Sequence, residues 1–350
     1  MTDLVMTTSV DFEMLGWKEI KRMGKKVQRQ AKLAPGVQLI RCNDAYGALA
    51  SRLIKFRPIF VRHMNPVHRI VELTGSEDDY KRLKRVLRDG LLDNLATGTP
   101  FSVQTRIFAK KVPFKPFDIN KQMSQTVEQV TGATLNVREP QTVISVVIGQ
   151  VDGALVALVG VSTADYNLSD WAGGERRFKR EKGQVSRAEF KLLEAIEAFD
   201  IKLPSQGVAV DLGAAPGGWT RVLRNHHPDL VVIAVDPGDL HPSFKQDWGV
   251  RHVRASAEFY QQQLDDHEKF DLIVNDMRLD ASRSADTLSR FAPHLKPDGF
   301  AVMTIKLPQY HALVKLLDTE AQLSQTFEVV GIRHLFHNRN EVTAYLKRKA

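Results

Sequence analysis

Four ionisable side chains in the C-terminal half stand at or beside the ends of apolar runs. Asp276 closes the run in IVNDM, Lys306 closes the one in MTIKLP, Glu341 opens the last one in NRNEVTAYL, and Lys191 lies on SRAEFKLLEA. Each alone reads as a solvated charge. Together, two lysines and two carboxylates are equipped for proton transfer, because a lysine can act as a general base once its surroundings disfavour the ammonium. A glycine loop precedes three of them, in VAVDLGAAPGGWT over 208–220. Its strand ends at Asp211, and Gly213, Gly217 and Gly218 let the backbone turn tightly and approach a ligand. The spacing is neither GxGxxG nor the GK[ST] phosphate loop, which argues against a nicotinamide oxidoreductase and a nucleoside triphosphatase. Asp236 ends the next strand, where an acid can accept hydrogen bonds from ribose hydroxyls.

These residues need a sheet to bring them together. From Gly207 the pattern is βαβ: strands over 207–212, 230–235, 270–274, 299–305, 328–336 and 342–347, with a helix opening at Gly218. Such alternation predicts a mostly parallel α/β sheet with its ligands at the carboxyl ends of the strands. The last two strands are joined by a short loop and should form an antiparallel hairpin. Ahead of the sheet, Ser186–Phe199 reads as a helix with Ser186 and Glu189 as a capping box. The N-terminal half alternates strands (4–9, 37–41, 59–63, 101–108) with helices (13–23, 45–54, 78–93, 119–131) and ends in a hairpin, 143–149 and 154–161, that turns at Asp152-Gly153.

The chain has 350 residues, 43 % hydrophobic and 26 % charged, which suits two or three folded domains and excludes a disordered chain. No apolar run has the length of a membrane span, and MTDLVMTTSVDFEML does not have the pattern of a secretory signal, so a cytoplasmic protein is expected. The single cysteine, Cys42, excludes an internal disulfide and a multi-cysteine metal site. The net charge of +8 is uneven: residues 1–175 hold 24 Lys and Arg against 18 Asp and Glu, while 206–350 hold 17 against 18. Two basic runs, Lys18 to Lys32 and Lys81 to Arg88, read as helices with one cationic side able to meet phosphates. The segment 170–185 is polar, basic and glycine-bearing, a linker or binding loop.

The run Asp-Leu-Gly-Ala-Ala-Pro-Gly-Gly resembles motif I of class I S-adenosylmethionine (AdoMet) methyltransferases, and its Pro-Gly-Gly-Trp ending resembles the FtsJ-like branch. Ser-Arg-Ala-x-Phe-Lys-Leu, the glycine loop, Asn-Asp-Met, the IKLP segment and the final Glu are similar, in the same order, to the Lys-Asp-Lys-Glu signature of FtsJ-like RNA ribose 2′-O-methyltransferases. The resemblance implies a Rossmann-like domain over 186–350 and a catalytic tetrad of Lys191, Asp276, Lys306 and Glu341. It makes Lys306 the base for a ribose 2′-hydroxyl, with Lys191 a like charge that eases its deprotonation and the carboxylates orienting both. It implies AdoMet, without a metal, held by Asp211, Gly213, Ala214, Ala215, Pro216, Gly217, Gly218, Trp219, Asp236 and Ser256. At Ser256 the family usually has an acid for the adenine amino group; here the nearest acid is Glu258.

Residues 85–170 resemble a THUMP RNA-binding domain through FSVQTRIF, INKQMSQTVEQVTGA and the hairpin, and 1–84 resemble the ferredoxin-like domain that accompanies it, with 171–185 a basic linker. The arrangement is similar to the RlmM-type 23S ribosomal RNA methyltransferases, which implies structured RNA, naked or partly assembled, as partner, and no membrane. The same chemistry on tRNA and a non-catalytic RNA-binding role are the competing readings. Asn275-Asp276-Met277-Arg278 stands where base-methylating THUMP enzymes carry Asn-Pro-Pro-Tyr, which argues against a base as the acceptor.

Overall fold

The computed structural model describes residues 1–349. The chain forms two compact units, divided between Glu175 and Arg176.

The N-terminal unit contains two sheets. The first is built from β1 (Thr2–Thr7), α1 (Glu13–Met23), β2 (Gln28–Ala34), β3 (Val37–Cys42), α2 (Tyr46–Phe56) and β4 (His63–Val67). Its order is β2-β3-β1-β4, antiparallel throughout. Alternation along β1 and β3 sends Leu4, Met6 and Ile40 against Ile20, Leu49 and Leu53 of the helices. Val5, Val37 and Leu39 point to the opposite face. The second sheet is built from β5 (Arg69–Glu72), α3 (Asp79–Val86), β6 (Pro100–Ile107), α4 (Pro116–Thr131), β7 (Thr134–Leu135), β8 (Thr142–Val151) and β9 (Ala154–Thr163), in the order β5-β9-β8-β6-β7. The β8–β9 hairpin turns at Asp152 and Gly153, with φ of +49° and +83°, as a two-residue primed turn requires. The two sheets share a core: Val5, Val37 and Leu39 pack with Val147, Val156 and Leu158. Gly160 permits the closest approach, since a Cβ there would lie 1.8 Å from the Pro66 carbonyl oxygen.

Several local expectations change. The first basic run is not one helix: α1 stops before Gly24, and Arg29 and Lys32 lie on β2. Those two are engaged, Lys32 with Glu13 at 3.0 Å and Arg29 over the Trp17 ring at 4.4 Å. Lysines on an edge strand such as β2 also blunt it against further pairing. The strand expected at 59–63 starts at His63 instead, because the Glu19 carboxylate accepts from the backbone N–H groups of Ile59, Phe60 and Val61 at 2.8–3.0 Å. The helix expected over 78–93 is regular only to Val86; a wider turn follows and Gly90 takes φ +76°. β5 pairs with β9, and Leu73, Leu83 and Leu87 pack in the core of the second sheet, so a boundary at 84/85 would cut through that core.

The C-terminal unit contains α5 (Glu189–Ala198), β10 (Gln206–Leu212), α6 (Gly218–His226), β11 (Asp229–Val235), β12 (Val250–Val253), α7 (Ala257–Gln261), β13 (Phe270–Asn275), α8 (Ala281–Phe291), β14 (Leu295–Lys306), α9 (Ala312–Leu323), β15 (Phe327–Arg333) and β16 (Glu341–Arg348). The seven strands run β12-β11-β10-β13-β14-β16-β15, a Rossmann-like sheet that is parallel through β14. β16 inserts antiparallel between β14 and β15, completing the expected hairpin. The chain leaves β10 toward β11 and β12, then returns to place β13 on its other side. This reversal opens a crevice at the carboxyl ends of the parallel strands. Burial on both faces explains the near-continuous apolar runs of β10, β11 and β13. The helix before β10 begins at Glu189, not Ser186; 187–188 form a turn ahead of it, and Glu189 Oε1 accepts from the amides of Val185 and Ser186. Among the described residues, no helix is long and apolar enough to cross a membrane.

Candidate active site

The glycine loop connects β10 to α6 over the crevice. Gly213 takes φ +77°, and a Cβ there would lie 2.9 Å from Met277 Cα, so the loop sits directly against the chain leaving β13. Gly217 takes φ +109° at the start of α6, facing the Phe244 ring. The amides of Gly213 and Ala214 donate to the Val235 carbonyl at 2.9 and 3.3 Å, tying the loop to β11. Asp236 continues that tie: its Oδ2 accepts from Ala215 N at 3.2 Å and its Oδ1 from Gly238 N at 2.7 Å. A carboxylate has about four lone-pair positions, so further donors can still be accepted there.

Across the crevice the four candidate ionisable residues meet. Lys191 Nζ donates to Asp276 Oδ2 at 3.0 Å and lies 2.8 Å from Glu341 Oε1. Lys306 Nζ donates to Asp276 Oδ1 at 2.7 Å and to Glu341 Oε2 at 2.8 Å. Each carboxylate thus bridges both ammonium groups in a closed ring of alternating charge. Asp276 follows β13 and Lys306 ends β14, neighbours in the parallel sheet. Glu341 arrives because β16 runs antiparallel, which puts its first residue in register with Lys306.

Residues 184–341 match the FtsJ-like methyltransferase family. The match takes in the glycine loop and all four ionisable residues of the ring. Two similar proteins are named ribosomal RNA large subunit methyltransferase M. That of Idiomarina loihiensis is 28 % identical over 309 residues, 83 % of this chain and 79 % of that one. That of Azotobacter vinelandii is 35 % identical over 205 residues, 54 % of this chain and 55 % of that one, so the chain spans about half the length of this relative. Among solved structures, TrmN from Thermus thermophilus aligns over 100 % of both chains at 16 % identity, with a TM-score of 0.41.

Within the C-terminal unit, loop and tetrad line one cavity of about 1580 Å³. Sites for a single small ligand occupy roughly 300–1,000 Å³, so this one has room for two partners. Besides the tetrad, its charged lining residues are Asp211, Asp236, Asp239, Glu258, Arg187, Arg278 and Arg339. The three arginines are exposed and make no ion pair among the described residues.

Burial pulls the Lys191 ammonium downward, but Asp276 and Glu341 outweigh it and the net shift is upward. Burial likewise pushes Glu341 up, and Lys306 and Lys191 together bring it below the ordinary range. The expectation that Lys191 acts on Lys306 as a bare like charge is therefore incomplete, since two carboxylates bridge the ammonium groups. Asp211 is fully enclosed; burial pushes it up to about 7 despite the hydrogen bond that Thr220 Oγ1 donates at 2.7 Å. A folded value above the ordinary ~4 means that its stabilising proton is fully held below about pH 4 and lost as pH rises through about 7. Asp211→Asn should therefore gain melting temperature relative to the wild type on going from pH 5 to pH 8, in ligand-free thermal unfolding. A difference between the two proteins that stays constant with pH would contradict this.

Gly213, Ala214, Ala215, Pro216, Gly218, Trp219, Asp236 and Ser256 all line the cavity, and Gly217 supports the loop from behind. Two of these residues have internal roles. The Trp219 indole is buried and donates to the Ala188 carbonyl at 2.8 Å, so it fastens α6 to α5. Ser256 caps α7, its Oγ accepting from Phe259 N at 3.2 Å. Sequence reasoning missed Thr304, whose Oγ1 donates to Asp276 Oδ1 at 2.7 Å. Its position two residues before Lys306, on the same strand face, was the available signal. It also missed Phe190, Phe336 and His337 on the cavity wall. Glu194 holds the latter two by accepting from both their backbone amides at 2.7 and 2.9 Å.

Proposed function

We propose that the chain transfers the methyl group of AdoMet to a ribose 2′-hydroxyl of large-subunit ribosomal RNA. The observation that carries this reading is the closed Lys191–Asp276–Lys306–Glu341 ring opposite a glycine loop in one cavity. When bound, AdoMet supplies an electrophilic methyl on a sulfonium cation. The residues present fit it: Gly213 and Gly217 let the loop turn tightly where a Cβ would meet Met277 and the Phe244 ring, Asp236 keeps acceptor capacity for ribose hydroxyls, and the carboxylates in the cavity lining suit a cation. Glu258 and Ser256 are the polar groups at hand for the adenine.

A ribose hydroxyl is a weak acid, so its attack needs a base within hydrogen-bond reach. Lys306 fills that role as the free amine, after its ammonium has released a proton to water, and takes up the hydroxyl proton as the methyl group is transferred, with Asp276 and Glu341 fixing the direction of its Nζ and Thr304 fixing Asp276. Lys191, held charged by the same carboxylates, stabilises their ionised forms. Arg187, Arg278 and Arg339 suit the phosphates on either side of the acceptor nucleotide. In the N-terminal unit, the THUMP-like reading makes its second sheet an RNA-binding element. Exposed Arg85 and Arg88 on and just after α3, which make no ion pair among the described residues, support that reading. The name of the two relatives directs the choice of substrate to the large ribosomal RNA.

The test uses purified protein, tritiated AdoMet and total RNA from a strain lacking the gene, with label followed into size-separated RNA and nucleosides. A labelled 2′-O-methylnucleoside from large ribosomal RNA is the expected result. The same nucleoside from tRNA would move the substrate, and a labelled base would overturn the chemistry. AdoMet binding with no label in naked RNA or in ribosomal particles would leave a non-catalytic RNA-binding role.

A further inference from the structure

The segment entering the catalytic unit carries Arg176, Arg177, Lys179, Arg180 and Lys182 within seven residues. It forms neither helix nor strand, yet it is fastened at several points. Arg176 reaches Glu197 through Nε at 2.6 Å and Nη2 at 2.8 Å, and its carbonyl oxygen lies 2.8 Å from His337 Nε2. Phe178 stacks on Phe190, with ring centroids 5.7 Å apart and planes 13° apart, and packs on His337 at 5.6 Å. The Arg176 guanidinium covers the Phe178 ring at 4.0 Å. Further along, Glu181 pairs with Arg221 at 3.2 Å.

Phe190 and His337 belong to the wall of the catalytic cavity, so the segment runs along the outside of that wall. Lys179, Arg180 and Lys182 are exposed and make no ion pair among the described residues. The fastening comes from aromatic stacking, Arg176 and Glu181. The three cations are left over, held close to the cavity at a reduced ordering cost for whatever anion they meet. Their linear spacing suits a polyanionic strand, and Arg187, Arg278 and Arg339 in the cavity lining carry charge of the same sign.

We propose that residues 177–182 are a rail for the RNA backbone, on which Lys179, Arg180 and Lys182 bind phosphates flanking the nucleotide in the cavity. Phe178 is the positioning residue that holds the rail to the wall. The proposal rests on the RNA-methylation reading and adds the path by which the strand enters.

The experiment compares wild type, the triple variant Lys179→Gln, Arg180→Gln, Lys182→Gln, and Phe178→Ala. It measures affinity for a ribosomal RNA fragment across a salt series, with KM, kcat and AdoMet affinity beside it. The triple variant should bind RNA at least about tenfold more weakly, with KM raised and kcat and AdoMet affinity within about twofold. The slope of log affinity against log salt should be shallower by about 2, three lost phosphate contacts at ~0.7 each. Phe178→Ala keeps every charge and should still raise KM for RNA, with Phe178→Tyr restoring it. Wild-type affinity, KM and slope in the triple variant would overturn the rail. So would Phe178→Ala binding RNA as the wild type does, because the triple effect would then be one of net charge. A wild type that methylates no RNA would instead overturn the function on which the rail rests.

Discussion

Lys306→Ala is expected to lower kcat for methyl transfer by about 10²- to 10⁴-fold while leaving AdoMet affinity within about threefold. The range is that of a positioned general base. The separation between chemistry and binding follows from geometry. Lys306 Nζ contacts only Asp276 and Glu341 among the described groups, and both carboxylates keep Lys191 as a partner when Lys306 is removed. The sharper form of the experiment is Lys306→Arg. An arginine keeps the positive charge but does not release its proton in a protein. If Lys306 served only to attract the substrate or steady the carboxylates, Lys306→Arg would retain most of the activity. As a base it should fail nearly as badly as Lys306→Ala. Single-turnover methylation with saturating RNA, together with calorimetric AdoMet titration, decides the matter; near-normal turnover by the arginine variant would end the assignment.

Gly213→Val should weaken AdoMet binding at least about 100-fold, which corresponds to roughly 2.7 kcal/mol. Two costs combine. Gly213 holds φ +77°, which a β-branched residue adopts only at a cost of about 1–2 kcal/mol or more. A Cβ there also meets the Met277 backbone, with Cα at 2.9 Å and N at 3.1 Å, and backbone cannot rotate aside as a side chain can. The loop must therefore lift from the β13 end, which moves the proposed AdoMet site relative to Asp276. Gly213→Ala should show the same effect in weaker form. The check is AdoMet titration alongside circular dichroism, so that loss of binding is separated from loss of fold. An intact valine variant that binds AdoMet normally would remove the loop from the cofactor site.

The two variants fail at different links. Lys306→Ala leaves the glycine loop and removes the proposed proton acceptor. Gly213→Val leaves the tetrad side chains and displaces what faces them. Their contrast also reports on Thr304: with its hydrogen bond to Asp276 removed, kcat should fall in the same direction as in Lys306→Ala but by a smaller factor.

Much of the catalytic half is local information. Apolar runs mark the strands, and Asp211, Asp236, Asp276 and Lys306 announce themselves as the polar residues where those runs stop. In a parallel sheet the carboxyl ends share one edge, so naming the strand ends nearly names the site. Glycine spacing is equally local, because a turn with positive φ can be inferred from the residues that make it. Tertiary structure decided the rest. β10 lies beside β13, and β16 enters between β14 and β15, so Glu341 reaches Lys306 across 35 positions of sequence. Phe178 finds Phe190 and His337, from three separate segments. In the N-terminal unit, Glu19 takes the amides of residues 59–61 from the strand their composition predicts, and β5 joins a sheet whose other strands begin some thirty residues later. The physical reason is common to all of these. Propensity and periodicity report how a segment pairs with itself and buries one face. Strand order, register and a side chain capturing distant backbone amides are set by competition among partners far apart in the chain, settled only when the whole core is packed.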